Sequence, residues 1–341
     1  MGSVDFPLLT SKIADCKYIA IVAHYNPDGD ALGSALALYH YHQSKGNEVS
    51  VIVPNDFPDF LKWMPGNETV VVAEGNANLV KHLMKQADLL YIVDMNSPSR
   101  AGQQLEDKII DSKAFKILID HHVNPNIECD FQYSFPKASS TAQLVYEFLF
   151  KVLKNPLHAL TLEMAECLYV GLITDTGSLT YSCNDPFLYT ILSRLIKKGV
   201  DGEHIHRLVY DNYGASRLKL LGIALGHRLV ILPEYQSAYM SLSKKDLEDN
   251  NYQIGDTEGF VNYGLSISTV DLSAIIIERE KRIKLSFRSK GNVDVRILAE
   301  RYFNGGGHRN ASAAYNYDTF ENTIAYLEQI IKEHHDEFFL P

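Results

Sequence analysis

The chain predicts an α/β fold, with a parallel sheet in a first domain and a smaller α/β domain after it. Three observations predict this. Short, continuous apolar runs (Tyr18–Ala23, Leu89–Val93, Lys116–Ile119) alternate with helical periods, the pattern of βαβ units. Each run ends in a polar group capable of chemistry: His24, Asp94 and Asp120-His121-His122. The length, 341 residues, exceeds what one hydrophobic core usually serves.

The elements follow in order. Tyr18–Ala23 reads as a buried strand. His24-Tyr25-Asn26-Pro27-Asp28-Gly29-Asp30 reads as a tight turn punctuated by Pro27 and Gly29. A helix over 31–45 is predicted by Leu32, Ala35, Leu36 and Tyr39, with Gly46 as its stop. Val49–Val53 is a strand, 54–66 an ordered loop, Val70–Val72 a short strand and Leu79–Gln86 a helix. Helices are expected at 139–153, capped by Ser139, Ser140 or Thr141, at Leu160–Ile173, and at Phe187–Lys198, closed by Gly199. The polar, helically periodic stretch from His204 to Gly226 reads as a connector. Beyond it, strands are expected at Arg228–Leu232, Ala238–Leu242, Ala274–Glu278 and Ile283–Arg288, and helices at Val293–Tyr302 and Phe320–Glu333. The domains are placed at 1–198 and 227–341, with 199–226 between them. Lys245–Asp249 reads as a solvated loop or helix end, and His334-His335 as surface.

Composition narrows the function. A net charge of −10 argues against a broad basic face for long duplex DNA. It leaves room for a small anionic substrate, because bound divalent cations invert the local field. Four cysteines without a CxxC pair suggest a reducing compartment rather than a zinc ribbon or a disulfide framework. Neither a signal-like N-terminus nor a membrane-length apolar run is present, so the expected location is the cytoplasm, with no membrane partner.

Position makes the polar groups interesting. In a parallel sheet the carboxyl ends of strands share one edge, where open α/β folds bind ligands. His24, Asp94 and Asp120 would converge there, and several buried carboxylates together require protons or cations. Asp28 and Asp30 admit two readings, as helix caps or as ligands of two ions. Asp175, at the end of a helix before Gly177, opposes the helix dipole, a poor structural choice that favours a metal role. Gly305-Gly306-Gly307-His308-Arg309 reads either as a flexible turn or as an anion-binding nest of backbone amides with two added donors. Arg288, after an apolar strand, is a further basic candidate or a surface ion pair.

The ordered set His24, Asp28, Asp30, Asp94, Asp120-His121-His122, Asp175 and Gly305-Gly306-Gly307-His308 resembles the DHH phosphoesterase superfamily. The second domain is similar to the DHHA1 type, and the whole looks most like the compact oligoribonucleases that also dephosphorylate 3′-phosphoadenosine 5′-phosphate. Thr257–Tyr263 resembles a segment recurrent in that group. One departure is Ala313, where the family's glycine motif usually has a further glycine. The resemblance implies a DHH domain, a helical connector and a DHHA1 domain, with the active site in the cleft between domains. It implies two Mn²⁺ per site, with Mg²⁺ or Co²⁺ as alternatives. His24, Asp28 and Asp94 would hold one ion and Asp30, Asp94, His121 and Asp175 the other, activating a water for attack on phosphorus. Asp120 would orient a histidine, His122 would face the phosphate, and Arg288, Gly305, Gly306, Gly307, His308 and Arg309 would grip substrate. The partners implied are short oligonucleotides or phosphorylated nucleotides. Related activities are hydrolysis of pApA, cyclic di-AMP or polyphosphate, and a homodimer is allowed.

Overall fold

The computed structural model describes residues 6–211, 214–253 and 255–339. The chain divides into two compact units, residues 1–212 and 213–341. The division falls inside the stretch 199–226.

The first unit is built on one parallel sheet of six strands: β1 (Tyr18–Val22), β2 (Glu48–Val53), β3 (Val71–Val72), β4 (Leu89–Val93), β5 (Phe115–Asp120) and β6 (Phe131–Ser134). Their order is β3-β2-β1-β4-β5-β6, so the direction of winding reverses between β1 and β4. Helices cover both faces. Ile19, Ile21, Leu89, Tyr91, Val93, Ile117 and Ile119 share one core with α1 (Phe6–Asp15), α2 (Gly29–Ser44), α5 (Thr141–Glu147), α6 (Leu162–Asp175), α7 (Pro186–Lys198) and α8 (Gly202–Tyr210). Ala20, Val22, Leu90, Ile92 and Leu118 share the other with α3 (Ala77–Gln86) and α4 (Gly102–Asp111). Burial on both faces is why β1, β4 and β5 read as unbroken apolar runs.

Helices α2 and α6 approach backbone to backbone. A Cβ at Gly33 would stand 2.5 Å from the Cys167 carbonyl, and one at Gly171 would stand 2.5 Å from Ala142 Cβ and 3.0 Å from Asp30 Oδ1. Glycine is required at this crossing by contact, not by dihedral angle. The result is that the first turn of α2, the first turn of α5 and the last turn of α6 meet.

The second unit carries a mixed sheet ordered β11-β12-β10-β9-β8-β7. Its strands are β7 (Val230–Leu232), β8 (Ser237–Leu242), β9 (Leu272–Glu278), β10 (Ile283–Ser289), β11 (Asn304–His308) and β12 (Ala311–Asn316). Ile283, Leu285 and Phe287 turn inward against α12 (Val295–Tyr302) and α13 (Phe320–Glu333). Ile275 and Ile277, on the opposite face, pack with α9 (Ala215–Gly226), α10 (Lys244–Asp249) and α11 (Phe260–Gly264).

Several expectations are corrected here. The glycine stretch is a strand, not a turn or a nest. Gly305, Gly306, Gly307 and His308 pair antiparallel with Ala314, Ala313, Ser312 and Ala311. A Cβ at Gly305 would lie 2.2 Å from the Ala313 carbonyl, and Gly307 has φ +143°, so a side chain would prevent the pairing. Lys245–Asp249 lies within helix α10, which opens on a Ser243–Asp246 capping box. His335 is not simply at the surface: its ring stacks on Phe339 with centroids 3.8 Å apart. Among the described residues, no helix is long and apolar enough to cross a membrane.

Candidate metal centre

The carboxyl ends of β1, β4 and β5 are adjacent, and the winding reversal lies at β1/β4, the position where open α/β sheets bind ligands. His24 follows β1, Asp94 follows β4, and Asp120-His121-His122 closes β5. Asp94 has φ +58°, a left-handed conformation that costs a side-chain-bearing residue about 1 kcal/mol or more and that aspartate tolerates better than most. The turn sends its carboxylate into the centre of the group.

Around Asp94 the distances are short. Asp94 Oδ2 lies 3.2 Å from His24 Nε2, and Oδ1 lies 3.7 Å from His121 Nε2 and 3.6 Å from His122 Nδ1. The Thr141 hydroxyl donates to Asp94 Oδ1 at 2.8 Å. His24 Nε2 also stands 3.8 Å from Asp28 Oδ2. His121 Nε2 stands 4.0 Å from Asp30 Oδ2 and 3.5 Å from Asp175 Oδ2. Three sets of potential ligands result in this unit: His24-Asp28-Asp94, Asp30-Asp94-His121, and Asp94-Asp120-His122. Asp94 belongs to all three.

Local structure orients each group. Asp28 divides its oxygens: Oδ1 accepts the amides of Asp30 and Ala31 at 3.0 Å, capping α2, while Oδ2 faces His24. Cap and ligand are compatible roles for one carboxylate. Asp30 lies inside the first turn of α2 rather than capping it. It accepts the amides of Thr141 and Ala142 at 2.6 and 2.8 Å, at the opening of α5. His24 Nδ1 is 2.9 Å from the Tyr25 carbonyl, and His121 Nδ1 is 3.4 Å from the Ala138 carbonyl. A carbonyl only accepts, so each Nδ1 carries a proton and the ring is fixed with Nε2 turned towards the carboxylates, the orientation a metal ligand needs once Nε2 gives up its proton. His122 Nδ1 binds Asp120 Oδ1 at 2.7 Å, and the other oxygen of Asp120 is buried with no hydrogen-bond partner among the described residues.

The electrostatics are those of an acid cluster. Burial, then the charges of Asp94, Asp175 and Asp28, raise the Asp30 carboxyl well above its ordinary range. Burial also raises Asp94, but the His24 hydrogen bond and the charges of His122, His24 and His121 outweigh it and hold Asp94 below its ordinary value. Burial lowers His24 and His121, yet Asp94 and Asp28 for the first, and Asp175 and Asp94 for the second, raise both imidazoles overall. At His122 burial prevails and the value falls. A carboxyl raised by its acidic neighbours, and imidazoles raised by the same carboxylates they face, hold protons that divalent cations can replace, and together they form a donor set suited to such ions.

The second unit holds the other candidates. Arg288 and His308 both register with Ala311, one strand away on either side, so they lie in one row across the sheet, about 10 Å apart. Ser286, Ala313 and Gly306 form the next row on the same face. Ala313, where a glycine was expected, is exposed there. Arg288 also lines a pocket of about 50 Å³ with Lys284, Ser286, Thr257, Glu258 and Gly259, so the recurrent segment 257–263 and Arg288 meet. Buried Arg217 supports that segment through the Asp256 and Glu258 carbonyls at 2.8 and 2.7 Å. Arg309 is exposed and donates to the Asn292 carbonyl at 3.0 Å.

Acids and imidazoles gathered at the switch point of a doubly wound sheet are an architecture for metal-dependent hydrolysis. Residues 18–172 match the DHH family, N-terminal domain, and residues 235–333 match the DHHA1 domain. The chain belongs to the DHH family and is a phosphoric ester hydrolase of its metal-dependent kind. It is 28% identical over 324 residues to the probable bifunctional oligoribonuclease and PAP phosphatase NrnA of Streptococcus mutans, covering 95% of this chain and 97% of that one. It is 30% identical over 308 residues to the NrnA of Thermus thermophilus, covering 87% and 83%. Among solved structures, an exopolyphosphatase-related protein from Bacteroides fragilis superposes with a TM-score of 0.92 at 39% identity, over 97% of this chain and 96% of that one.

Proposed function

We propose that this enzyme hydrolyses short oligoribonucleotides and 3′-phosphoadenosine 5′-phosphate with two Mn²⁺ ions. The observation that carries the reading is Asp94, one carboxylate common to the His24-Asp28 set and the Asp30-His121 set. Two divalent cations, when bound, supply charge neutralisation for the transferring phosphoryl group and a more acidic water. His24, Asp28 and Asp94 are assigned to one ion, and Asp30, Asp94, His121 and Asp175 to the other. Mixed imidazole and carboxylate donors suit Mn²⁺, with Mg²⁺ or Co²⁺ as substitutes.

The remaining residues act on substrate. Asp120 holds the Nδ1 proton of His122, which leaves Nε2 to face the phosphate. An approaching phosphate anion raises the proton affinity of that imidazole, so His122 stabilises the developing charge and supplies a proton to the leaving oxygen. His308, Arg309, Arg288 and the edge-strand amides of Gly305–Gly307 are assigned to the substrate's other phosphate or terminal nucleotide. The NrnA names of the relatives support this substrate class. The four unpaired cysteines are compatible with a reducing, cytoplasmic setting.

A second reading has its own support. The cyclic-di-AMP phosphodiesterase GdpP of Geobacillus thermodenitrificans is 28% identical over 97% of this chain, which spans 49% of that protein. A Mn²⁺-supplemented panel separates the readings: pApA, a pentaribonucleotide, 3′-phosphoadenosine 5′-phosphate, cyclic di-AMP, polyphosphate and pyrophosphate. The proposal expects the highest kcat/KM on the short oligonucleotides, with 3′-phosphoadenosine 5′-phosphate also consumed. Preferred turnover of pyrophosphate or of cyclic di-AMP would overturn it.

A further inference from the structure

We propose that Arg100 is a phosphate-binding residue of the metal centre, contributed by the first unit itself. The inference rests on the hydrolase reading above. Arg100 lies on a short 3₁₀ turn, Pro98–Ala101, six residues past Asp94. The turn is capped by Ser97 and seated on the β1 turn: the Tyr25 amide donates to the Arg100 carbonyl at 2.7 Å, one residue from His24. The next residue, Gly102, has φ +68°, and a Cβ there would stand 3.2 Å from the Tyr25 ring. The backbone bearing Arg100 is thereby pinned to the backbone bearing His24.

The side chain is half-buried, yet among the described residues its guanidinium makes no ion pair or hydrogen bond. The Tyr25–Arg100 backbone bond sets Arg100 beside the strand end that carries His24, and its positive charge lies within electrostatic reach of both His24 and His122. His122 is the group assigned to the phosphate. A planar cation with several donors and, among the described residues, no anion to hold, within electrostatic reach of that imidazole, matches a phosphoryl group with two non-bridging oxygens.

This differs from the roles of Arg288 and Arg309, which sit on the second unit. Arg100 would neutralise the reacting phosphoryl group, and its loss should appear in kcat/KM without loss of metal.

The test compares wild type with Arg100→Ala, Arg100→Gln and Arg100→Lys as full chains loaded with Mn²⁺. Three quantities are measured: Mn²⁺ stoichiometry, binding of inorganic phosphate to the loaded protein, and kcat/KM on pApA. The expected result is unchanged stoichiometry, phosphate binding weakened about tenfold or more, and kcat/KM lowered about 10²-fold in the Ala and Gln variants, with partial recovery in Lys. Phosphate affinity and kcat/KM within about threefold of wild type in a folded variant would overturn the proposal. So would loss of bound Mn²⁺, which would make Arg100 a support of the metal shell. If wild type cleaves no phosphoester, the parent reading fails, and the phosphate-binding difference still decides Arg100.

Discussion

The two sheets present their polar groups in opposite ways. In the first unit the strands are apolar on both faces, and the polar groups stand at their ends: His24 after β1, Asp94 after β4, His121 and His122 after β5. In the second unit β10 alternates, with Ile283, Leu285 and Phe287 inward and Lys284, Ser286 and Arg288 on the other face. A strand end gives a deep, crowded place where charges shift one another's protonation. A strand face gives a shallow row at fixed spacing. The first suits cations and bond breaking, and the second suits a grip on an extended anion.

Substitutions in the two regions should therefore fail differently. The largest effect is expected at Asp94. Asp94→Ala should lower turnover by at least about 10³-fold, because one carboxylate serves both ligand sets. Measured turnover near wild type would remove the shared role.

Next comes acid stability, which should be weakest in the first unit. His42 is buried there, with Nε2 3.0 Å from the Tyr91 hydroxyl, and burial lowers its value to about 4. The unfolded chain takes up this proton near pH 6.5, so the folded state is favoured above that pH and loses stability as pH falls towards 4. The loss from this group is about 3 kcal/mol between pH 7 and pH 4. Urea titrations of wild type and His42→Gln should differ by that amount in their pH dependence. Parallel curves would assign acid sensitivity elsewhere.

The smallest effect belongs to the second unit. Arg309→Ala should raise KM about tenfold with kcat and Mn²⁺ binding held, the mark of lost uniform binding. An unchanged KM would take Arg309 out of the grip.

The same contrast explains what could be read in advance. β1, β4 and β5 are readable because burial on both faces makes them continuous apolar runs, and their terminal residues then stand out. β11 is not, because three glycines have low strand propensity and become a strand only by pairing with β12. β6, with Phe131, Gln132, Tyr133 and Ser134, is too short and mixed to stand out at the sheet edge. Helices α1 and α4 are not legible in the sequence either, α4 because its apolar face is narrow: Leu105 and Ile109. Thr141 was visible only as a helix cap. The Ser140 hydroxyl caps α5 instead, which leaves the Thr141 hydroxyl to bind Asp94. Arg100 had a faint signal in Ser97-Pro98, a cap and first-turn proline that start a helical turn soon after Asp94.

Metal stoichiometry tests the central claim most directly. Calorimetric titration of metal-free protein with Mn²⁺ should find two ions per chain in wild type, and neither at comparable affinity in Asp94→Ala. One ion retained at wild-type affinity in that variant would contradict a carboxylate shared between two sites.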